Sequence, residues 1–272
     1  MSFKVRTTLR IEGSLLLTLA VSMIIPLLIA IFEGETQSMR AFLMVMGGCT
    51  VLGLFPFIFF GPSQRKIKNR DGFFIVSVSW FLASAVGALP FVISGTMESF
   101  TDAFFESCSG FTTTGSSILT DVEVLPRSML FWRSFTHWLG GMGIIVFITA
   151  LLPVFGINGQ LIANSETTGP TKQKITAKFL LKAGGLTWFD SAIHTFGSVG
   201  TGGLSSYNDS IAHFNSTYVE LVVAFFMLMA SMNFSLYYMA YKRGLKQIIK
   251  DEEARFYLFV VAAVTAAIAV YN

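Results

Sequence analysis

The sequence predicts an all-α polytopic membrane protein, and two observations on its 272 residues lead to this fold class. Hydrophobic residues make up 53% of the chain and charged residues only 13%, whereas soluble domains carry about 25% charged residues. The charges also leave long uncharged windows, namely 13–32, 41–64, 72–97, 134–165, 221–241 and a shorter last one, 256–272. Because a helix needs about 20 residues to cross about 30 Å of hydrocarbon, the first five windows are long enough to span a membrane.

Basic residues predict the orientation of these spans. Most of the 19 lysines and arginines fall in four clusters, which are Lys4–Arg10, Arg65–Arg70, Lys172–Lys182 and Lys242–Arg255. Segments 96–126 and 183–241 carry acidic residues and neither lysine nor arginine. By the positive-inside rule the clusters are cytoplasmic, the acidic segments face outward and the N-terminus is inside. The first window has no cleavage pattern after it, so we expect a retained span rather than a signal peptide.

A count of crossings predicts a missing helix. The predicted spans in the first part of the chain are 13–32, 41–61, 72–95 and about 127–153. They end at the cytoplasmic Lys172–Lys182 cluster, yet the next span, 217–241, has to begin outside. The uncharged run between Lys182 and Asp190 is too short to cross. We therefore expect one transmembrane helix to be missing near Leu180–Ala183. The alternative is that 183–216 crosses as a broken, non-helical path.

The two acidic outer segments resemble each other. Asp102 and Asp190 each open about ten mixed residues, which lead into a Thr- and Gly-rich strip and then into a long span. We expect each aspartate to cap a short helix. The stretch from Asp102 to Gly115 is one residue longer than that from Asp190 to Gly202, so the two registers differ by one residue. The pattern predicts an internal repeat of short helix, strip and membrane helix.

These repeated segments predict a cation pathway. A helix of about ten residues covers about 15 Å, half of the hydrocarbon core, which suits a re-entrant pore helix with its negative end at mid-membrane. Extended backbone is tolerated there only along a water-filled path, where its carbonyls replace the hydration shell of a cation. Gly115 and Gly202 permit the φ values that aim carbonyls at an axis. The alternative is that each strip is an ordinary Thr/Gly surface loop. The occurrence of the same pattern twice, on the same predicted side of the membrane, disfavours this alternative.

Four stretches match a known pattern: 111–115 and 197–203 at the two strips, and 138–153 and 232–236 in the helices that follow them. With these stretches the sequence resembles the Trk/Ktr/HKT superfamily of potassium transporters, most closely the bacterial Trk-type membrane subunit. The resemblance implies four units of membrane helix, pore helix, filter strip and membrane helix around one pore, as in potassium channels. It also implies potassium as the transported ion, no cofactor, and filter residues at Thr113, Thr114, Gly115, Gly200, Thr201 and Gly202.

The resemblance divides the chain into four parts. These are two N-terminal transmembrane helices (1–65), a complete first pore repeat (66–160), a second repeat without its first helix (161–250) and the start of a third (251–272). We therefore expect an incomplete form that carries no potassium by itself. The family further implies a bacterial inner membrane, a homodimer and a cytosolic nucleotide-binding regulatory subunit. The basic clusters are expected to meet anionic lipid, and nothing indicates nucleic-acid binding.

Other assignments compete for some of these residues. His137 with Ser116 or Ser117 is a weak candidate for a Ser–His hydrolase, so we expect no enzyme. His137 is expected near the outer interface, among aromatic residues. The alternative function is a secondary transporter with re-entrant hairpins that moves a solute with Na⁺ or H⁺. Such a transporter favours acidic or asparagine ligands inside its spans, whereas these spans contain almost no charge. Two arginines stand at the outer start of the fourth span, Arg127 and Arg133. They either extend their charged ends to the membrane surface or pair with Asp121 or Glu123, or else they support the pore helix through Glu106. Two cysteines, Cys49 and Cys108, indicate neither a disulfide framework nor a zinc site.

Overall fold

The computed structural model describes residues 3–60, 69–151, 170–232, 236–237, 242, 244 and 251–271. Within these ranges the chain forms helices, turns and loops and no β-strand. The described α-helices are α1 (Phe3–Ser22), α2 (Ile24–Phe32), α3 (Thr36–Phe59), α4 (Asn69–Ile93), α5 (Phe100–Phe111), α6 (Arg127–Leu151), α7 (Pro170–Ala183), α8 (Trp188–Val199), α9 (Thr217–Ala230) and α10 (Glu252–Tyr271). A 3₁₀ helix at Ser210–Phe214 precedes α9.

Several of these helices are suited to a membrane. Those long and apolar enough to cross one cover Thr8–Phe32, Thr36–Phe59, Gly72–Ile93 and Glu252–Tyr271. They confirm the first three predicted spans, and the last of them covers the short window 256–272. Helix α6 covers the fourth predicted span as far as Leu151, and α9 is a shorter apolar helix. The remainder of the span predicted at 217–241 lies mostly outside the described residues. The chain is an all-α, multi-pass membrane protein.

The first span consists of two helices instead of the one predicted. Helix α1 ends at Ser22, a turn falls at Met23, and α2 begins at Ile24. Pro26 explains the break, because its ring nitrogen has no hydrogen to donate to the Ser22 carbonyl one turn earlier. The Ser22 hydroxyl donates back to the carbonyl of Leu19 at 2.7 Å, which is a further departure from regular helix.

Helix α6 packs against both short helices, α5 and α8. Its fully buried Trp132 donates the indole N–H to the Gly87 carbonyl of α4 at 3.0 Å. The same ring meets Phe111, the last residue of α5, edge to face with centroids 6.4 Å apart. Toward α8, the rings of Phe135 and Phe196 lie 5.5 Å apart. An aromatic layer on one helix therefore holds both repeats in a single core.

The second repeat is built like the first, since α7 packs on α8 as α4 packs on α5. Helix α7 has 14 residues, which corresponds to about 21 Å and falls short of the hydrocarbon thickness of about 30 Å. Residues 152–169 lie outside the described residues. The boundaries of the four predicted parts and the missing helix of the second repeat stay predictions.

The turn between α2 and α3 docks on the start of α6. Glu33 pairs with Arg127 at 2.7 Å, and the Glu35 carboxylate accepts both the hydroxyl and the backbone N–H of Ser128. Carboxylates at this position satisfy the free amides of a helix start and oppose its positive dipole end. The partner of Arg127 is therefore Glu33, which is none of the partners predicted for it from the sequence.

Candidate functional site

The two short helices begin with the same cap. Ser99 and Thr187 are the N-cap residues, and their hydroxyls accept the backbone N–H groups of Asp102 (3.4 Å) and Asp190 (3.1 Å). The prediction that the aspartates are the caps is wrong. They lie in the first helical turn, where a negative charge favours the helix dipole. The pattern Ser/Thr-x-x-Asp could have identified the caps, because the capping residue stands three positions before its acidic partner.

Both short helices also end in the same turn. We name the segments after them strip one (residues 112–117) and strip two (residues 200–205). At the end of α5, the backbone N–H of Thr113 donates to Gly110 at 3.0 Å and that of Thr114 donates to Ser109 at 2.9 Å. This pair of bonds is a Schellman motif, which closes a helix and leads the chain away from it.

Strip two repeats this turn bond for bond. The backbone N–H of Thr201 donates to Ser198 at 3.3 Å and that of Gly202 donates to Gly197 at 2.9 Å. Thr113 and Thr201 both have φ of 54°. Glycine normally occupies this left-handed position, and a β-branched residue there is an outlier. The same strained residue at the same point of two repeats is a feature typical of functional sites.

One constant interval relates the two repeats. It carries Phe100 to Trp188, Phe111 to Val199, Thr113 to Thr201 and Gly115 to Gly203. Gly115 and Gly203 have φ of 77° and 80°, while Gly202 is not among the glycines with positive φ. The prediction that Gly202 is the equivalent of Gly115 is therefore wrong by one residue. Two adjacent glycines stand in strip two, and the sequence offers no means of choosing between them.

Close packing, and not a positive φ, requires glycine at position 202. A Cβ atom at this position would collide with the imidazole ring of His137, and a Cβ atom at Gly115 would collide with the Gly202 carbonyl oxygen. The two strips therefore touch at these two glycines. His137 is fully buried against strip two, and its position relative to the outer interface stays a prediction. Neither of its ring nitrogens has a hydrogen-bond partner among the described residues.

Glu106 supports the outer end of strip one from within α5. Its carboxylate accepts the Ser117 hydroxyl at 3.0 Å and the Ile118 backbone N–H at 3.1 Å. The side chain of Glu106 has no solvent exposure, so these bonds form in a medium of low dielectric constant. The Ser117 hydroxyl is thus bonded to Glu106 and not to His137.

Arg133 of α6 joins Glu106 to strip two. Its Nε donates to a carboxylate oxygen of Glu106, and its Nη1 donates to the backbone carbonyl of Ser205 at 3.0 Å. The Arg133 side chain is 3% exposed. Of the two alternatives for this arginine, support of the pore helix through Glu106 is confirmed. The contact with strip two was not expected, because no sequence pattern relates Arg133 to Ser205.

Strip two has its own support, Asp190. One oxygen of the carboxylate accepts the Ser206 hydroxyl at 3.2 Å, and the other accepts the Thr187 hydroxyl at 2.5 Å. His194 stands where the first repeat has Glu106, and its ring meets the edge of Phe214 with centroids 5.1 Å apart. The second repeat is therefore held by an aspartate of the first helical turn and an aromatic contact instead of an ion pair.

An asparagine connects the outer loops of the two repeats. Asn208 donates its side-chain N–H to Asp121 at 2.8 Å and accepts the backbone N–H of Val122 at 2.8 Å. Its own backbone N–H donates to Glu123 at 3.1 Å. The hydrogen bond from Asn208 lowers the pKa of the exposed Asp121 carboxyl, because it stabilises the charged form.

Neighbouring glycines of α6 face the ends of the two pore helices. A Cβ atom on Gly140 would collide with the Phe111 carbonyl of α5, whereas one on Gly141 would meet only the Cα of Gly200, at 3.8 Å. Close approach of helix backbones explains Gly140, as small residues do in membrane bundles. Gly141 leaves room for a methyl group.

The structure places all six predicted filter residues at the C-terminal ends of α5 and α8, and the two strips meet where Gly115 contacts Gly202. Thr114 and Thr201 are exposed, while Gly202 is buried against His137 of α6. Sequence reasoning missed Gly203, Arg133 as a contact of strip two, and the left-handed conformation of the two threonines. The binding of potassium by these residues stays a prediction.

Comparison with known proteins places the chain in a family. The model of the TrkH family, described as "Cation transport protein", matches residues 53–183 and 177–268. The chain belongs to the TrkH family. This result agrees with the resemblance seen in the sequence.

Relatives of the family cover nearly the whole chain. TrkH of Halomonas elongata, named a Trk system potassium uptake protein, is 33% identical over 280 residues, which cover 94% of this chain and 58% of the relative. TrkG of Escherichia coli K12 is also 33% identical, over 96% of this chain and 58% of the relative. The crystal structure of the potassium transporter TrkH from Vibrio parahaemolyticus matches with a TM-score of 0.85 and 33% identity, over 95% of this chain and 57% of that one. The chain thus spans about 58% of the length of these curated relatives.

Proposed function

We propose that this TrkH-family chain supplies two filter strips of a potassium pathway across the bacterial cytoplasmic membrane, as a transport protein and not as an enzyme. One observation carries the proposal: the strips share their backbone conformation at equivalent positions, Thr113 with Thr201 and Gly115 with Gly203. Unrelated loops have no physical reason to repeat the same turn and the same strained residues. The names of the relatives, Trk system potassium uptake proteins, suggest the ion.

The chemistry of the strips suits a dehydrated cation. The backbone N–H groups of Thr113, Thr114, Thr201 and Gly202 donate to the pore helices, so carbonyl oxygens are the main strip groups that could face an ion. Two strip carbonyls also have protein donors, since that of Gly200 accepts the Thr201 hydroxyl at 2.8 Å and that of Ser205 accepts Arg133. The C-terminal ends of α5 and α8, which carry a partial negative charge, lie beside the strips. We propose six carbonyl donors, Thr113, Thr114, Gly115, Gly200, Thr201 and Gly202, and add Gly203 on the basis of its φ.

We further propose that the chain does not conduct by itself. The family resemblance implies a ring of four strips, and the two strips described here form one side of such a ring. Liposomes that contain only this chain should therefore take up no radioactive rubidium, an ion that substitutes for potassium. Rubidium uptake above that of empty liposomes would overturn this part of the proposal.

The missing helix of the second repeat belongs to the same proposal. The family match is split into two ranges that overlap at residues 177–183. This overlap lies where the count of membrane crossings predicts a missing helix. The alignment with the Halomonas relative runs over 280 residues, which is more than the 272 residues of this chain. The alignment therefore includes residues of the relative that have no counterpart in this chain. Helix α7 is then the remnant of a longer helix.

Ion binding by the strips can be tested without transport. Melting of the purified chain in detergent is measured in potassium, rubidium and sodium chloride at equal ionic strength. We expect potassium and rubidium to raise the melting temperature about 2–4 °C more than sodium, which corresponds to about 1 kcal/mol of ion binding to the folded state. Equal melting in all three salts would overturn the proposal, and a larger effect of sodium would favour the secondary-transporter alternative.

A matched pair of variants locates the ion. Gly203 and Gly95 have φ of 80° and 73°, and a Cβ atom at either position would have no neighbouring atom within 4 Å. Gly203→Ser and Gly95→Ser therefore impose similar backbone strain inside and outside the strips. We expect G203S to abolish the difference between potassium and sodium and G95S to keep it. Loss of the difference in both variants, or in neither, contradicts the proposed site.

Partners are proposed on family grounds. We propose that the chain, or a longer protein that contains it, forms a homodimer with its N-terminus inside and binds a cytosolic nucleotide-binding regulatory subunit. The relatives are named as parts of a Trk system, which supports further components. The basic clusters on the proposed cytoplasmic side suit anionic lipid headgroups. Crosslinking in native membranes, followed by mass measurement, tests both assemblies.

A further inference from the structure

We propose that Arg133 is a positioning residue that fixes the outer ends of both strips with one buried guanidinium group. This role goes beyond the proposed potassium pathway and does not depend on which ion the strips bind. It concerns how two segments that are far apart in sequence, strip one and strip two, are held in one geometry.

The contacts of Arg133 run in two directions. Nε donates to Glu106, and Glu106 in turn holds the Ser117 hydroxyl at 3.0 Å and the Ile118 backbone N–H at 3.1 Å. Nη1 donates to the carbonyl of Ser205 at 3.0 Å. One side chain thus reaches the outer end of strip one through a carboxylate and the outer end of strip two directly.

The inner ends of the strips do not need such help. There each strip is anchored to its own pore helix by the Schellman motif, with Thr114 bonded to Ser109 and Gly202 bonded to Gly197. These bonds are local and act within one repeat. The bonds of Arg133 act between repeats, and they link the outer ends of the strips themselves, whereas the bonds of Asn208 link the loops beyond them.

Burial makes the arrangement strong and directional. The side chains of Arg133 and Glu106 are 3% and 0% exposed, so water cannot replace either bond. Arginine carries several N–H groups in a rigid plane and can bond two acceptors at fixed angles, whereas lysine presents a compact charge on a flexible stem. A lysine at position 133 can pair with Glu106 but cannot maintain both directions.

Hydrogen–deuterium exchange of the purified full chain tests this role. The N–H of Ile118 reports strip one through Glu106, and the N–H of Tyr207, which donates to Ser205 Oγ at 3.0 Å, reports strip two. We expect Arg133→Gln to raise exchange at both reporters. Arg133→Lys should keep the protection of Ile118 and raise exchange at Tyr207 about tenfold, as expected for loss of one hydrogen bond to a charged group.

Arg127→Gln is the matched control. Arg127 lies on the same helix and pairs with Glu33, and the two side chains are 48% and 40% exposed. Its guanidinium lies over the Phe189 ring of α8, and no contact described for it reaches strip one or strip two. We expect R127Q to leave both reporters unchanged. If R133Q fails to fold, R133K decides the question. Wild-type exchange at Tyr207 in R133K would overturn the proposal, because it would mean that Arg133 does not hold strip two. A uniform rise in exchange over the whole chain would also overturn it, because it would indicate only general destabilisation.

Discussion

The two pore repeats share a backbone and differ in the side chains that support it. Each has a Ser/Thr cap, a pore helix of 12 residues, a Schellman turn and a left-handed threonine at the same place. At the equivalent position of the pore helix, the first repeat has Glu106 in a buried ion pair and the second has His194 against an aromatic ring. Strip geometry is therefore set by local backbone bonds, while its support comes from tertiary contacts that each repeat makes differently.

This difference has a physical basis. A cap or a Schellman turn needs only a few neighbouring residues, so duplication copies it intact. A buried ion pair needs a partner from another helix, and α6 offers Arg133 to strip one and strip two together. A second arginine beside His194 would have to be desolvated without an equally good partner.

The largest effect is expected when the first repeat is given the residue of the second. Glu106→His leaves Arg133 buried without its carboxylate, and we expect a loss of about 3–5 kcal/mol in the free energy of unfolding. His194→Gln removes an aromatic contact and should cost about 1 kcal/mol. Denaturant unfolding in mixed micelles measures both variants. Equal losses would mean that the two supports do not differ in the way the contacts indicate.

A smaller effect is expected from methyl groups on neighbouring glycines. Gly140→Ala forces the backbones of α6 and α5 apart at the Phe111 carbonyl and should cost about 1–3 kcal/mol. Gly141→Ala meets only the Cα of Gly200, at 3.8 Å, and should be neutral or stabilise by up to about 1 kcal/mol through helix propensity. Thermal melting of the two variants decides the point, and a costly G141A would indicate that the second repeat packs on α6 as tightly as the first.

The left-handed threonines test the equivalence of the strips. Thr113→Gly and Thr201→Gly remove the strain of a β-branched residue at φ of 54°, and each should raise the free energy of unfolding by about 1 kcal/mol. The gains should be equal and additive, since the conformations are the same. Unequal gains, seen in the melting temperatures of the two single variants, would break the equivalence.

The smallest effect is expected at the exposed link between the outer loops. Asn208→Ala should lower the melting temperature only slightly, because the Asp121 carboxyl that it contacts is exposed. The folded-state pKa of Asp121 is lowered from its usual 3.8, so the stabilisation by Asn208 is present above that pH and is lost as the pH falls through the lowered pKa.

The difference in melting temperature between wild type and N208A should therefore be constant near neutral pH and narrow below about pH 3.8. It should not vanish, since the bond from Val122 to Asn208 does not titrate. Introducing Asp121→Asn into both proteins provides the control. With that change the difference should stay constant over the same pH range, and narrowing that persists would assign the effect to another group.

Much of the fold could be predicted from the sequence because membrane helices leave long gaps between charges. The spans and the two short helices follow from such local patterns. The break at Met23 is hidden in the sequence because the window around Pro26 is uniformly apolar. Pairs such as Arg127 with Glu33 depend on how distant segments pack, and composition contains no information about this packing.

In the candidate site, too, local sequence patterns could be predicted and tertiary contacts could not. The Thr/Gly composition of the strips locates both of them, but their register depends on φ at a single residue, and Gly202 and Gly203 are equivalent by composition. Asp102 and Asp190 are predicted as caps because aspartate is a common N-cap residue, but the serine and threonine three positions earlier are equally good cap residues. The burial of His137 depends on the fold of strip two and cannot be read from its aromatic neighbours.

The collision between His137 and any side chain at Gly202 has a consequence for how these positions vary in evolution. A residue larger than glycine at position 202 requires a residue smaller than histidine at position 137. The reverse does not hold, since a small residue at 137 still accepts glycine at 202. Within the family, we therefore expect the histidine at position 137 to be replaced before the glycine at position 202. Sequences with a large residue at both positions should be absent.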